Sequence, residues 1–226
     1  MPLIDRLFKE TGYKVQDLEA VAVSKGPGSF TGLRIGVSTA RALAQALNIP
    51  AVGVCTLSAL AEAVPAPESL ICPVLDARRS QVYTALFKRA AFSPHALETV
   101  LEPKAMAVAE LIKALESGNF DQGKKSPGSL ESARPLSNKA SFKTWPVIFT
   151  GEGLNSYEEE IKAALPGRAV ITTTALRVCR ASLVALKGRQ LLIKNPEDSY
   201  LELLPSYLRR PEAERKNVPD EGGLKP

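Results

Sequence analysis

Histidine is nearly missing: one residue, His95, stands among 226. A single imidazole cannot form the paired-histidine site of a zinc peptidase, and beside Pro94 it reads as a surface residue. A Ser-His-Asp hydrolase is equally unsupported, because no G-x-S-x-G elbow occurs. Cysteine is scarce as well. Cys55, Cys72 and Cys179 are far apart, odd in number and without a C-x-x-C pair. That pattern excludes a disulfide framework and fits inert buried thiols in a reducing compartment. No apolar run is long enough to span a membrane. The opening PLIDRLFKE breaks its apolar pattern with charges, unlike a signal peptide. These absences together lead to the expectation of a soluble, cytoplasmic protein. Neither charge sign dominates. A net charge of +5 permits contact with RNA without requiring it. The carboxylates show no paired spacing suited to acid–base work.

What the chain does contain is organised around residues 20–57, AVAVSKGPGSFTGLRIGVSTARALAQALNIPAVGVCTL. An apolar run at Ala20 to Val23 precedes a tight turn at Gly26, Pro27 and Gly28. A helical pattern follows from Thr31 to Leu47. Pro50 closes it, and a second apolar run covers Ala51 to Cys55. The spacing predicts two parallel strands joined by a right-handed crossover helix. Neither strand alternates with polar residues, so both faces should be covered. Leu33, Val37, Leu43 and Leu47 are placed to face the sheet. Gly32, Gly36, Ala40 and Ala44 form a nearly bare stripe. Each helix-interior glycine costs roughly 1 kcal/mol against alanine, and close approach of another helix would offset that cost. The occupant is either a helix of this chain or one of a partner. The glycine spacing fits neither the dinucleotide fingerprint nor a P-loop. Free N–H groups near Gly26, Gly28 and Ser29 can still meet an anion, whereas Ser29 and Thr31 read more simply as helix caps.

Before this unit, Met1 to Thr11 reads as a helix with Leu3, Leu7 and Phe8 on its apolar face and Gly12 as its stop. Lys14 to Glu19 is a connector. After it, Thr56 to Val64 reads as a short helix capped by Thr56. Pro65-Ala66-Pro67 is the strongest boundary signal. Ile71 to Leu75 and Gln81 to Phe87 make a hairpin around Asp76-Ala77-Arg78-Arg79-Ser80. In that turn Asp76 either braces solvated arginines or lies beside arginines that grip a phosphate or a partner carboxylate. A strand is expected near Glu98 to Leu101 and a helix over Ala105 to Leu115. Residues 117–144 read as a polar, basic surface insertion, which with only Phe120 and Phe142 to offer for stacking is more simply solvated than RNA-binding. Then come a strand from Pro146 to Thr150, a Gly151-Glu152-Gly153 turn, a helix from Asn155 to Leu165, a strand from Ala169 to Thr172, and a helix over Ala175 to Lys187 behind Thr173 or Thr174. Gly151 reads as a turn residue needing positive φ. The tail from Leu201 has an apolar anchor, Leu203, Leu204, Tyr207 and Leu208, followed by charge. It should dock and then fray.

SKGPGSFTGLRIGVSTARALA, followed by IPAVGVCTLSALA, resembles the TsaB (YeaZ) family. PVLDARRSQVYTALF, FTGEGLNSY and LPSYLRRPEAERK stand where that family has them, so the likeness runs from Met1 to about Lys216. Gln81 stands where the family usually has Glu. The family also begins with about forty more residues, the length of a three-strand meander with its connections. Without them the first sheet is narrow, with an open edge and uncovered apolar faces; either Met1 is a misassigned start, the preferred reading, or the chain is a short form that depends on a partner or is unstable, and the native mass would decide.

The resemblance implies an α/β, two-lobed actin/sugar-kinase/Hsp70-like (ASKHA) fold with an N-terminally incomplete first lobe over 1–66. It places the second lobe over 67–200 and a docking segment with a disordered tail over 201–226. It implies a non-catalytic assembly subunit in the synthesis of threonylcarbamoyladenosine beside the tRNA anticodon. A TsaD-like catalytic subunit would be the partner, with a TsaE-like ATPase joining and a homodimer as the alternative pairing. ATP and a metal would belong to those partners, with no cofactor and no metal assigned to this chain, and tRNA would be met through the complex. The pairing surface would comprise Leu3, Leu7, Gly32, Arg34, Gly36, Ala40 and Ala44. The anion or turn site would comprise Gly26, Gly28, Ser29, Asp76, Arg78 and Arg79. Two other classes stay open at this point: a small-molecule kinase or ATPase of the same fold, and a direct tRNA binder.

Overall fold

The structure is a computed structural model that describes residues 2–65, 68–90, 93–118, 120, 142–195 and 199–209. The expectations for 119 and 121–141 of the basic insertion, the residues after 209, the centre of the Pro65-Ala66-Pro67 signal and the side chain of His95 lie outside the described residues; near the ends of the insertion, Phe120 and Phe142 are buried core residues, which corrects the surface reading there.

Alternation of side chains along two short parallel strands builds the first lobe. In β1 (Val21–Gly26) and β2 (Ala51–Cys55), Val21 lies opposite Ala51 and Val23 opposite Gly53. Successive residues point to opposite faces. One face carries Val21, Val23 and Ala51, which pack on Val37, Ala40 and Ala44 of α2 (Phe30–Leu47) and on Leu203. The other carries Ala22 and Val54, packed on Val184 and Leu191 of α6 (Ala181–Lys194). Both faces are therefore covered, as the apolar runs predict. The expectation of uncovered faces is corrected: α6 and Leu203, both from far along the chain, supply the cover.

Helix α2 starts where Ser29 Oγ accepts from Gly32 N at 3.3 Å, and it stops at Asn48, left-handed at φ 53°. Leu33 and Val37 turn inward as the period predicts. Leu43 and Leu47 are only half-buried, because Ala40 and Ala44 occupy the sheet-facing arc instead.

The second lobe is a five-stranded sheet in the order β5-β4-β3-β6-β7. Strands β3 (Leu70–Asp76) and β4 (Gln81–Ala90) form the antiparallel hairpin expected around Asp76, and β5 (Ser93–Ala107) continues it. Strands β6 (Val147–Thr150) and β7 (Ala169–Ile171) add in parallel. One face is covered by α4 (Val108–Ser117) and α5 (Leu154–Ala164), with Leu111, Leu115, Leu154 and Ile161 in the core. The opposite face meets α3 (Thr56–Glu62) through Leu57, Leu60, Ile71 and Phe87.

Three local expectations are corrected. Ala105 and Met106 belong to β5, not to a helix, because they pair with Tyr83 and Val82. Cys55, not Thr56, is the N-cap of α3, and Thr56 Oγ1 is buried without a hydrogen-bond partner among the described residues. The last helix begins at Ala181. Thr174–Leu176 forms a single 3-10 turn, after which Arg177 bonds Thr172 O at 3.1 Å and Glu158 at 2.8 Å.

Candidate docking face and cleft turns

Helix α1 (Pro2–Thr11) is amphipathic and has no fully buried residue. Its polar side is laced by Lys9–Asp5 at 2.7 Å and Arg6–Glu10 at 2.6 Å, both one helical turn apart. Its apolar side has Leu3 at 82% and Leu7 at 58% exposure, with Ile4 and Phe8 half-buried. An apolar helix face left in water lacks the packing that usually stabilises short helices.

The bare stripe on α2 divides. Gly32 and Arg34 are exposed, and Gly36 is half-buried. Ala40 and Ala44 are 5% and 0% exposed and fill the chain's own first-lobe core. Their assignment to a partner surface is therefore corrected: at those two positions close approach serves β1 and β2. A different row faces outward. Gly32, Ile35, Ala42 and Ala46 are exposed and Thr39 half-exposed, at intervals of three or four residues. Ile35, 64% exposed, is its one large side chain.

The two candidate turns follow the carboxyl ends of β1 and β3. Gly26 has φ 125°, and a Cβ there would lie 2.5 Å from Ser206 O. Ser29 caps α2, the simpler of its two readings; Gly28 lies beside Leu33. In the second turn Asp76 Oδ1 accepts from Arg78 N at 2.7 Å, so the aspartate braces the backbone. Arg78, Arg79 and Ser80 are consecutively left-handed, at φ 64°, 55° and 54°, a conformation that costs L-residues energy. The Arg78 guanidinium reaches Asp76 Oδ2 only at 3.8 Å and stays in solvent. The Asp76 charge, behind burial, also raises the pKa of Tyr157 on α5. The two turns are joined through the C-terminal segment. Ser206 N donates to Lys25 O at 2.7 Å and Arg209 Nη1 to Ala77 O at 2.5 Å.

The profile of the family described as "TsaD: tRNA N6-adenosine threonylcarbamoyltransferase" matches residues 1–217. The tRNA threonylcarbamoyladenosine biosynthesis protein TsaB of Bacillus subtilis is 32% identical over 216 residues, covering 96% of this chain and 80% of that one. The chain belongs to the TsaB family. The structure titled YeaZ from Pseudomonas aeruginosa, 20% identical, superposes with a TM-score of 0.61 over 91% of this chain and 81% of that one. The two-lobed ASKHA-type α/β fold expected from the resemblance is thus the fold observed. A 73-residue stretch is also 38% identical to the tRNA N6-adenosine threonylcarbamoyltransferase of Bacillus subtilis, covering 32% of this chain and 21% of that one. TsaB-type and transferase-type chains are therefore relatives of each other.

Several side chains of this TsaB-family chain escaped sequence reasoning. A Cβ on Gly188 would collide with Ala22 Cβ, so the closest helix–sheet approach beneath a glycine lies on α6, not α2. The signal was a glycine inside the apolar pattern ALKGRQLL. Glu62 pairs with Lys187 at 2.9 Å and Arg89 at 3.5 Å, with side chains no more than 10% exposed. Arg89 also donates to Val64 O at 2.8 Å and Glu62 O at 2.9 Å, capping the end of α3. Charges so distant in sequence gave no pattern to read. Burial raises the thiol pKa of Cys55, Cys72 and Cys179, and all three are free, in keeping with inert thiols.

Proposed function

We propose that this chain is a non-catalytic assembly subunit of the machinery that makes tRNA threonylcarbamoyladenosine. It pairs through α1 and the outward row of α2 with a related TsaD-type subunit, which carries out the transfer. The observation that carries the pairing is an amphipathic helix with an unburied apolar face, together with an outward α2 row whose small residues admit a helix closely. Family membership and the printed name of the Bacillus subtilis relative support the pathway. The similarity to a transferase of the same organism supports a partner of that type. This sequence has one histidine and so no two-histidine pair of its own, which supports the reading that the metal and its chemistry belong to the partner. A TsaE-type ATPase and tRNA join the same assembly in this reading.

Transfer of a threonylcarbamoyl group to tRNA, assayed with the chain alone, with the TsaD-type subunit alone and with both, tests the role. The expected result is no product from the chain alone and a clear gain on adding it to the transferase. Product from the chain alone would overturn its non-catalytic status, and no gain would overturn the assembly role.

A further inference from the structure

Residues 199–209 contain neither helix nor strand, yet four of them are anchored to groups far away in the sequence. Leu203 is buried with Val37, Ala40, Ala44 and Ala51. Ser206 N donates to Lys25 O at 2.7 Å, and Ser206 O sits where a Cβ on Gly26 would be. The Tyr207 ring lies 4.9 Å from that of Phe30, and its hydroxyl accepts from Arg34 Nε at 3.1 Å. The Arg34 guanidinium is also stacked 4.0 Å over Phe30. Arg209 Nη1 donates to Ala77 O at 2.5 Å. The first three anchors hold the first lobe, at β1, β2 and the first turn of α2. The fourth holds the turn after β3, in the second lobe.

We propose that residues 203–209 are an internal strap that locks the first turn of α2 to the turn following β3, so that the outward face of α2 and the second lobe move as one body. The strap joins the carboxyl ends of β1 and β3, where open α/β sheets admit ligands. Any widening between Lys25 and Ala77 must break the Ser206 or the Arg209 bond. Ordering seven residues outside helix and sheet has an entropy cost that these anchors offset. The lobes already pack through α3 and α6, and the strap adds a tie at the carboxyl ends of β1 and β3, where hinging would open them. The inference goes beyond the assembly reading and is tested without a partner.

Hydrogen exchange of the isolated full chain separates a strap from independent contacts. Arg209→Ala should speed exchange of the Gly32 and Leu33 amides, which Arg209 does not touch, by about threefold or more, along with Ala77 and Gln81. Tyr207→Ala should likewise loosen Ala77 and Gln81. If each variant loosens only its own side, the anchors are independent and the proposal fails. If Arg209→Ala raises exchange throughout, β6 included, Arg209→Lys decides, since it keeps a donor for Ala77 O. Restored protection at Gly32 and Leu33 supports the strap; loss there with β6 still protected overturns it.

Discussion

Adding one methyl group to Gly36 and to Gly188 should have opposite effects. A Cβ on Gly36 would meet only Val23 Cγ2, at an ordinary 3.6 Å, and its φ is not left-handed. Gly36→Ala should therefore stabilise by about 0.5–1 kcal/mol through helix propensity. On Gly188 the same atom collides with Ala22, where overpacking of about 1–3 kcal/mol exceeds that gain. Urea midpoints of the two variants should move in opposite directions; a shared direction would contradict the packing described. Gly36 was legible as part of a stripe for close approach and Gly188 was not, because its unyielding neighbour Ala22 depends on an α6 placed by distant contacts. Cys72 gives a second residue-scale test. Burial pushes its thiol up to about 12 from 9.0, with Sγ 3.3 Å from Thr84 Oγ1. The unfolded thiol loses its proton near 9 while the folded one keeps it, so the folded state binds more protons above that pH. This contribution to stability is complete below pH 9 and declines as pH rises towards 12. Cys72→Ala should flatten the alkaline fall of the urea midpoint relative to the parent chain; an unchanged slope would contradict the burial.

Among the elements, α3 is held at its end by the Glu62, Lys187 and Arg89 group, which joins α3, α6 and β4. Glu62→Ala would leave two buried cations without that carboxylate and should destabilise by about 3–5 kcal/mol, read from denaturant unfolding. A loss below about 1 kcal/mol, the level of a surface pair, would show that water reaches the group. Elements with a strong period or cap were legible to within a residue or two: β2, α2 between Ser29 and Asn48, and the hairpin around Asp76. Elements decided by partners were not. Ala105 and Met106 have helical propensity, but pairing with β4 overrides it. The threonines before the last helix suggested a cap, yet Arg177 bonding to Thr172 O and Glu158 delays the helix to Ala181.

For the whole molecule, the sequence motifs carried the fold and the family, but not how the far end of the chain closes the near end. Helix α6 returns to cover β1 and β2, and Leu203 fills the space beside Ala40 and Ala44. Those returns turn half of the bare stripe inward and leave Gly32, Ile35, Thr39, Ala42 and Ala46 as the outward row. The candidate face was thus legible as to helix and not as to register: small residues announce close approach without stating from which side. Ile35, exposed and touching no core cluster, is a better probe of pairing than Gly36, which leans on Val23.

Light scattering of the purified chain mixed with a TsaD-type subunit tests the proposed pairing most directly. The account predicts a heterodimer mass for the parent chain, and two separate masses for the Leu7→Asp, Ile35→Asp double variant at an unchanged urea midpoint. A heterodimer that persists in that folded double variant would contradict it.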